Sequence, residues 1–248
     1  MRTIRIKEST RNIFLELLER YPALASAANE IEAAFELVRG AYEGGGKLLC
    51  GGNGGSACDC EHIVGELLKS FKKPRTIDCE TKKSLLALGE DGEYLASKLE
   101  GALPAVSLVS QTGVLTAYAN DRAWDAALAQ QVYGLGNKGD VLLVLSTSGN
   151  SRNCVLAARV AEVKGIKTIA LTGEGGGMLK DICDVCIAAP ERETYKVQEL
   201  HLPIYHALCA MLEEEFFSTA PQPAGVGGFA LTNYNLSKHT PRTPKIIG

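Results

Sequence analysis

The chain has 248 residues, 46% hydrophobic and 22% charged, with a formal net charge of −3. That length allows one full core plus an appendage, and the slightly acidic balance argues against a broad basic face for nucleic acid. No stretch reaches the roughly 18 apolar residues of a membrane helix, and the start, MRTIRIKESTRNIFLELLERYPAL, lacks the unbroken apolar run of an export signal, so a cytoplasmic protein is expected.

Apolar residues at helical spacing open the chain. Ile13, Leu17 and Leu18, then Ile31, Ala34, Phe35 and Val38, predict two amphipathic helices over 8–21 and 27–43, joined near Pro22. Short apolar runs follow: KLLCG (47–51), PAVSLV (104–109), DVLLVLS (140–146), KTIALT (167–172) and DVCIAA (184–189). Each is bounded by Gly, Asp or Pro and is nearly continuously apolar, the pattern of a strand covered on both faces. Helical stretches at 57–71, 112–134, 151–164 and 191–217 separate them. This alternation predicts an α/β fold with a parallel, doubly wound sheet in a single domain over 1–217.

Two segments stand apart. Residues 72–101 are charged, read as an insertion with one or two short helices. Residues 218–248 are rich in Pro, Gly, Thr and Ser and are expected to be an irregular tail, whose Phe229, Leu231, Ile246 and Ile247 are available to dock on a partner subunit. The eight cysteines are scattered beside apolar residues and read as free thiols used as small hydrophobes. Cys183 and Cys186 form a CxxC, but no second pair completes a zinc site of that kind.

Chemistry gathers after the predicted strands, where ligands sit in open α/β sheets. GGNGGS follows the first strand and opens a helix whose free N–H groups suit an anion. It is neither a dinucleotide fingerprint nor a Walker loop, so no nucleotide or organic cofactor is expected. STSGNS (146–151) follows the third strand. An ordinary N-cap needs one hydroxyl, whereas Ser146, Thr147, Ser148 and Ser151 place four around one glycine turn, as a phosphate monoester requires. His62 and Glu66, four apart, share one helix face. Gln198 and His206, eight apart, lie about 80° apart around a later helix. As isolated residues these pairs read first as a surface ion pair and a helix carrying core histidines, ahead of a reaction centre.

Taken in order, GNGGS with EHIVGE, STSGNS and the late QELHLPIYH resemble the sugar isomerase (SIS) domain, and within it the phosphoheptose isomerase branch, over roughly residues 27–216 apart from 72–101. The resemblance implies a flavodoxin-like three-layer αβα sandwich with a five-stranded parallel sheet and N-terminal helices. It implies an aldose–ketose isomerase acting on sedoheptulose 7-phosphate, assembled as a homotetramer with sites at subunit interfaces. Ser146, Thr147, Ser148 and Ser151 match the phosphate loop; Asn53, Gly54 and Ser56 match sugar contacts; Asp121 matches a family Asp near the substrate; Glu66 and His206 match the acid–base pair. In some members His62, Glu66, Gln198 and His206 hold zinc, and Gln198 also lies with the substrate contacts. A carboxylate and an imidazole suit proton transfer between C1 and C2 through an enediol, and zinc would polarise the carbonyl. Where the family often has an Asp three residues before the Gln, this chain has Tyr195.

Two other readings stay open: a non-catalytic SIS protein that binds a sugar phosphate or another protein and regulates, as replication-initiation relatives do, and an isomerase of another sugar phosphate. Glu66 and His206, which a pure binder does not need, separate the first from an enzyme. No helix-turn-helix precedes the domain, which counts against a transcription factor.

Overall fold

A computed structural model describes residues 6–217; the expected tail lies outside the described residues. The sheet has five parallel strands in the order β2-β1-β3-β4-β5. They are β1 (Leu48–Gly52), β2 (Ala105–Ser107), β3 (Val141–Ser146), β4 (Lys167–Thr172) and β5 (Val185–Ala188). Leu49 pairs with Val106 of β2 on one side and Leu142 of β3 on the other.

Because side chains alternate across a strand, each apolar run serves two cores. Leu48 and Cys50 of β1 and Val141, Leu143 and Leu145 of β3 join one buried cluster. Leu49, Leu142 and Val144 join the other. Helices α1 (Glu8–Arg20), α2 (Ala28–Glu43), α3 (Gly55–Leu68) and α10 (Thr194–Phe217) cover the first face. Helices α7 (Ala127–Leu135) and α8 (Arg152–Lys164) cover the second. The result is the flavodoxin-like αβα sandwich.

Residues 79–98 hold two short helices, α4 (Cys79–Leu86) and α5 (Glu90–Lys98), with Asp78 capping α4 by accepting from the Thr81 N–H at 2.8 Å. A single antiparallel bridge between Thr76 and Glu100 closes the base of this hairpin. The single helix predicted over 112–134 is instead broken. Helix α6 (Thr112–Tyr118) passes into a π-helical turn at Ala119–Ala123 and a 3-10 turn at Trp124–Ala126 before α7. Ala123 adopts extended backbone (φ −159°, ψ 120°), and Asn120 spends its side chain on Asp121 rather than on a helix stripe. A short helix, α9 (Gly177–Lys180), precedes β5.

Helix α10 carries one fully buried imidazole. His201 donates from Nε2 to the carbonyl of Thr172 at the end of β4 (3.1 Å), and burial pushes its pKa down to about 4. An unfolded histidine binds its proton near pH 6.5, so the folded state takes up fewer protons between those values. Stability present above pH 6.5 is therefore lost as pH falls towards 4, by about 3 kcal/mol from this group. Urea titrations at pH 7 and pH 4.5 should show His201→Gln losing less stability on acidification than the wild type; equal losses would remove His201 as the cause.

Candidate functional site

Strands β1 and β3 are neighbours, yet the helices that follow them pack on opposite faces, so the chain divides at their C-terminal ends. The divide is bridged by a reciprocal amide pair. Asn53 Nδ2 donates to Asn153 Oδ1 at 2.9 Å, and Asn153 Nδ2 donates to Asn53 Oδ1 at 2.7 Å. Asn153, on the first turn of α8, was not singled out from sequence, and only the fold brings it to Asn53.

The serine loop is built as a cradle rather than as a cap. Ser146 Oγ donates to Ser151 Oγ at 2.9 Å, and Ser151 makes no side-chain cap bond to α8. The N-terminus of α8 thus keeps its positive dipole end for a ligand. A second glycine-rich loop braces the first from behind. Gly149 sits at φ 66°, where a Cβ would collide with the carbonyl oxygen of Gly176. The N–H of Gly173 donates to Thr147 O at 2.9 Å, and that of Met178 to Asn150 Oδ1 at 2.9 Å. Ser146 is buried, Thr147 and Ser151 are half-buried, and Ser148 is exposed, so the loop grades from core to solvent.

Gly54, at φ 54°, turns the chain from β1 into α3. Along the seam between α3 and α10 the remaining predicted residues fall at two stations. At the first, Gln198 Nε2 donates to Ser56 Oγ at 3.4 Å. At the second, His62 Nε2 lies 3.3 Å from Glu66 Oε1 and 3.5 Å from His206 Nε2. Gln198 and His206 are about 80° apart in projection, but eight residues also rise about 12 Å along the axis, so they meet different parts of α3. Glu66 is 12% exposed, and its Oε2 is buried without a hydrogen-bond partner. Burial lowers the His206 pKa, and the neighbouring His62 lowers it further against an opposing pull from Glu66, so the ring is neutral near pH 7.

Asp121 lies in the exposed π-helical turn, where it accepts from Asn120 Nδ2 at 2.8 Å and meets none of the other predicted residues within the chain. Among the described residues, no group of three or more His, Cys, Asp or Glu side chains is arranged to hold a metal ion. His62, Glu66, Gln198 and His206 therefore form a set of pairwise contacts rather than a closed four-ligand site.

One ion pair supporting the site was not legible. Arg75 Nε donates to Glu213 Oε1 at 2.7 Å, with both side chains buried. The other guanidinium nitrogens donate to the carbonyls of Leu67 (2.7 Å) and Glu66 (2.8 Å), the end of α3. Glu213 in turn accepts from the N–H groups of Phe71, Lys72 and Lys73. Arg75 sits in the charged run read as an insertion, where a cation predicts solvent, and nothing local announces its partner 138 residues away. His206 also lines a cavity of about 280 Å³ with Arg20, Tyr21, Phe71 and Lys72.

Comparison with known proteins shows the family. Residues 94–173, spanning β2 to β4 with the serine loop, match the SIS domain. The chain is 35% identical over 212 residues to the phosphoheptose isomerase of Akkermansia muciniphila, an overlap of 86% of this chain and 99% of that protein. It is 40% identical over 170 residues to the phosphoheptose isomerase of Nitratiruptor sp., covering 68% and 78% of the two chains. Its structure is similar to that of the phosphoheptose isomerase from Neisseria gonorrhoeae, with a TM-score of 0.63 and 31% identity over 84% of this chain and 98% of that one.

Removing one partner of a buried ion pair leaves the other charge uncompensated. Arg75→Met should lower the unfolding free energy by about 3–5 kcal/mol, read from urea denaturation. A loss under about 1 kcal/mol, the range of exposed pairs, would show that the contact does not hold the α3–α10 seam.

Proposed function

The chain belongs to the phosphoheptose isomerases of the SIS-domain fold, and on that premise we propose that it interconverts sedoheptulose 7-phosphate and D-glycero-D-manno-heptose 7-phosphate. It is an aldose–ketose isomerase. In our reading the phosphate rests on Ser146, Thr147, Ser148 and Ser151 at the N-terminus of α8. Asn53, Gly54, Ser56 and Gln198 line the sugar, and the C1–C2 end reaches Glu66 and His206. The observation that carries this assignment is the Glu66 carboxylate, nearly buried and next to two imidazoles, with Oε2 free of hydrogen bonds and only the Lys69 ammonium 3.6 Å away.

Glu66 takes the proton from C1 of the ketose. The C–H electron pair becomes the C1–C2 double bond, and the carbonyl pair moves onto O2, which receives a proton from the neutral His206 imidazole. The resulting enediol gives its O1 proton back to His206, and Glu66 returns its proton to C2, leaving an aldehyde at C1. A neutral imidazole serves as electrophile here because its conjugate base matches an enediolate in strength better than an imidazolium would.

By the family resemblance, zinc is the metal that His62, Glu66 and His206 would hold, although among the described residues they are not arranged as a closed metal site. His62 Nε2 lies 3.3 Å from Glu66 Oε1 and 3.5 Å from His206 Nε2. Those separations are near the ~3.3–3.5 Å edges of a tetrahedron with ~2.0–2.1 Å bonds. Gln198 would join only by leaving Ser56. When bound, zinc supplies Lewis-acid polarisation of the substrate oxygens; no step above passes through it.

We also read the protein as cytoplasmic, in keeping with eight free cysteines and with no helix among the described residues long and apolar enough to cross a membrane. A homotetramer with shared sites is supported by the exposed segment around Asp121, where Trp124 is 67% exposed. Such an assembly would cover that surface and bring Asp121 to a neighbouring site.

Incubation of wild type with sedoheptulose 7-phosphate in deuterium oxide should label C1 or C2, and Glu66→Gln should abolish exchange while keeping substrate-induced thermal stabilisation. No exchange by the wild type on any ketose phosphate would favour a regulatory binder, and full exchange by the variant would remove Glu66 as base. Metal analysis of chain purified without chelator should give close to one zinc per protein, lost in His62→Ala; a ratio near zero would sink the zinc reading.

A further inference from the structure

Helix α10 brings a tyrosine into the proposed reaction centre to which the proton transfers above give no role. Tyr205 is 1% exposed, and its ring fills the core beneath the seam. It stands edge-on to both imidazoles, with centroids 5.5 Å from His62 and 4.9 Å from His206. Its hydroxyl donates to Asp59 Oδ1 at 3.1 Å and lies 3.0 Å from His62 Nδ1.

Hydrogen counting decides the direction of the second bond. A phenol has one proton, and the Asp59 carboxylate has none to give, so that proton is committed to Asp59. Towards His62 the oxygen can then only accept, and Nδ1 must carry the imidazole proton. Burial raises the Tyr205 pKa, with Asp59 adding to the effect, so the group remains a hydroxyl across the working range. With its proton on Nδ1, His62 has a lone pair on Nε2, the atom 3.5 Å from His206 Nε2 and 3.3 Å from Glu66 Oε1. A hydrogen bond across the His62–His206 contact therefore requires His206 to carry its proton on Nε2, the tautomer that offers a proton at the site.

We propose that Tyr205 is a positioning residue for the isomerase site: anchored by Asp59, it holds His62 in the Nδ1–H tautomer, so that Nε2 can accept from His206 and gives no proton to Glu66. A phenylalanine would fill the same space and leave His62 free to place its proton on Nε2. There it would donate to Glu66, weakening the base, and would no longer accept from His206. Partners that orient an imidazole through its far nitrogen are typically worth 10–100-fold in activity or metal affinity. The effect on rate rests on the functional reading above; the tautomer does not.

The test is nitrogen NMR of the full chain labelled at histidine, with the His62 signals identified by their loss in His62→Gln, together with turnover of sedoheptulose 7-phosphate. Wild type should show His62 protonated at Nδ1. Tyr205→Phe should move protonation towards Nε2 and lower kcat by about 10–100-fold with KM within about twofold. Asp59→Ala, which releases the tyrosine proton to point at Nδ1, should shift the tautomer in the same direction, and it decides the matter if Tyr205→Phe does not fold. An unchanged tautomer overturns the proposal even if kcat falls, because the tyrosine would then be only a core ring. A changed tautomer with wild-type kcat overturns it as well. If the wild type fails to isomerise any sugar, the functional reading falls, and the nitrogen shifts alone decide whether Tyr205 sets His62.

Discussion

A guanidinium and a carboxylate meet at 2.7 Å between the end of α3 and the last turns of α10, with almost no access to water. Removing such charges from solvent costs several kcal/mol each, and attraction alone does not offset it. Here the remaining hydrogen-bonding capacity is also used: Arg75 takes two carbonyls of α3, and Glu213 takes three N–H groups of the crossing segment. One of those carbonyls belongs to Glu66 itself. The pair therefore fixes where α3 ends, where α10 lies beside it, and at what height a carboxylate on one helix meets an imidazole on the other.

The two halves of the site are made by different means. The proposed phosphate end is a backbone object, in which glycine loops press together at a distance no Cβ allows and Ser151 makes no side-chain cap bond to α8. The proposed reacting end is a side-chain object, in which Asp59, Tyr205, His62, Glu66 and His206 form a run of contacts between two helices. Phosphate is common to a whole class of substrates, so a rigid cradle serves it. Proton transfer at C1 and C2 needs chosen protonation states, which only polar side chains in low dielectric supply.

The sequence carries the fold plainly because parallel strands covered on both faces must be apolar throughout; KTIALT begins and ends where β4 does. The serine loop and the His62–Glu66 pair were legible for a similar reason, since their geometry is local to one turn. What escaped depends on contacts over more than a hundred residues. Arg75 falls in a charged run that predicts solvent, and nothing near Tyr205 or Asn153 in the sequence marks the partners they meet. Gln198 was placed by angle, and the axial rise along α10 was left out. The break between α6 and α7 was hidden because Ala119 and Ala123 are good helix formers individually, while the polar residues between them have no apolar stripe to bury.

The Thr76–Glu100 bridge brings together the two ends of the α4–α5 hairpin one residue beyond Arg75. A chain excursion whose ends already touch can change length at little cost, since doubling a closed loop adds only about 0.6 kcal/mol of closure entropy. Descendants of this gene can lengthen, trim or replace the hairpin while the ion pair below keeps the helices in register. Evolution thus has an adjustable element planted beside a reaction centre that must not move.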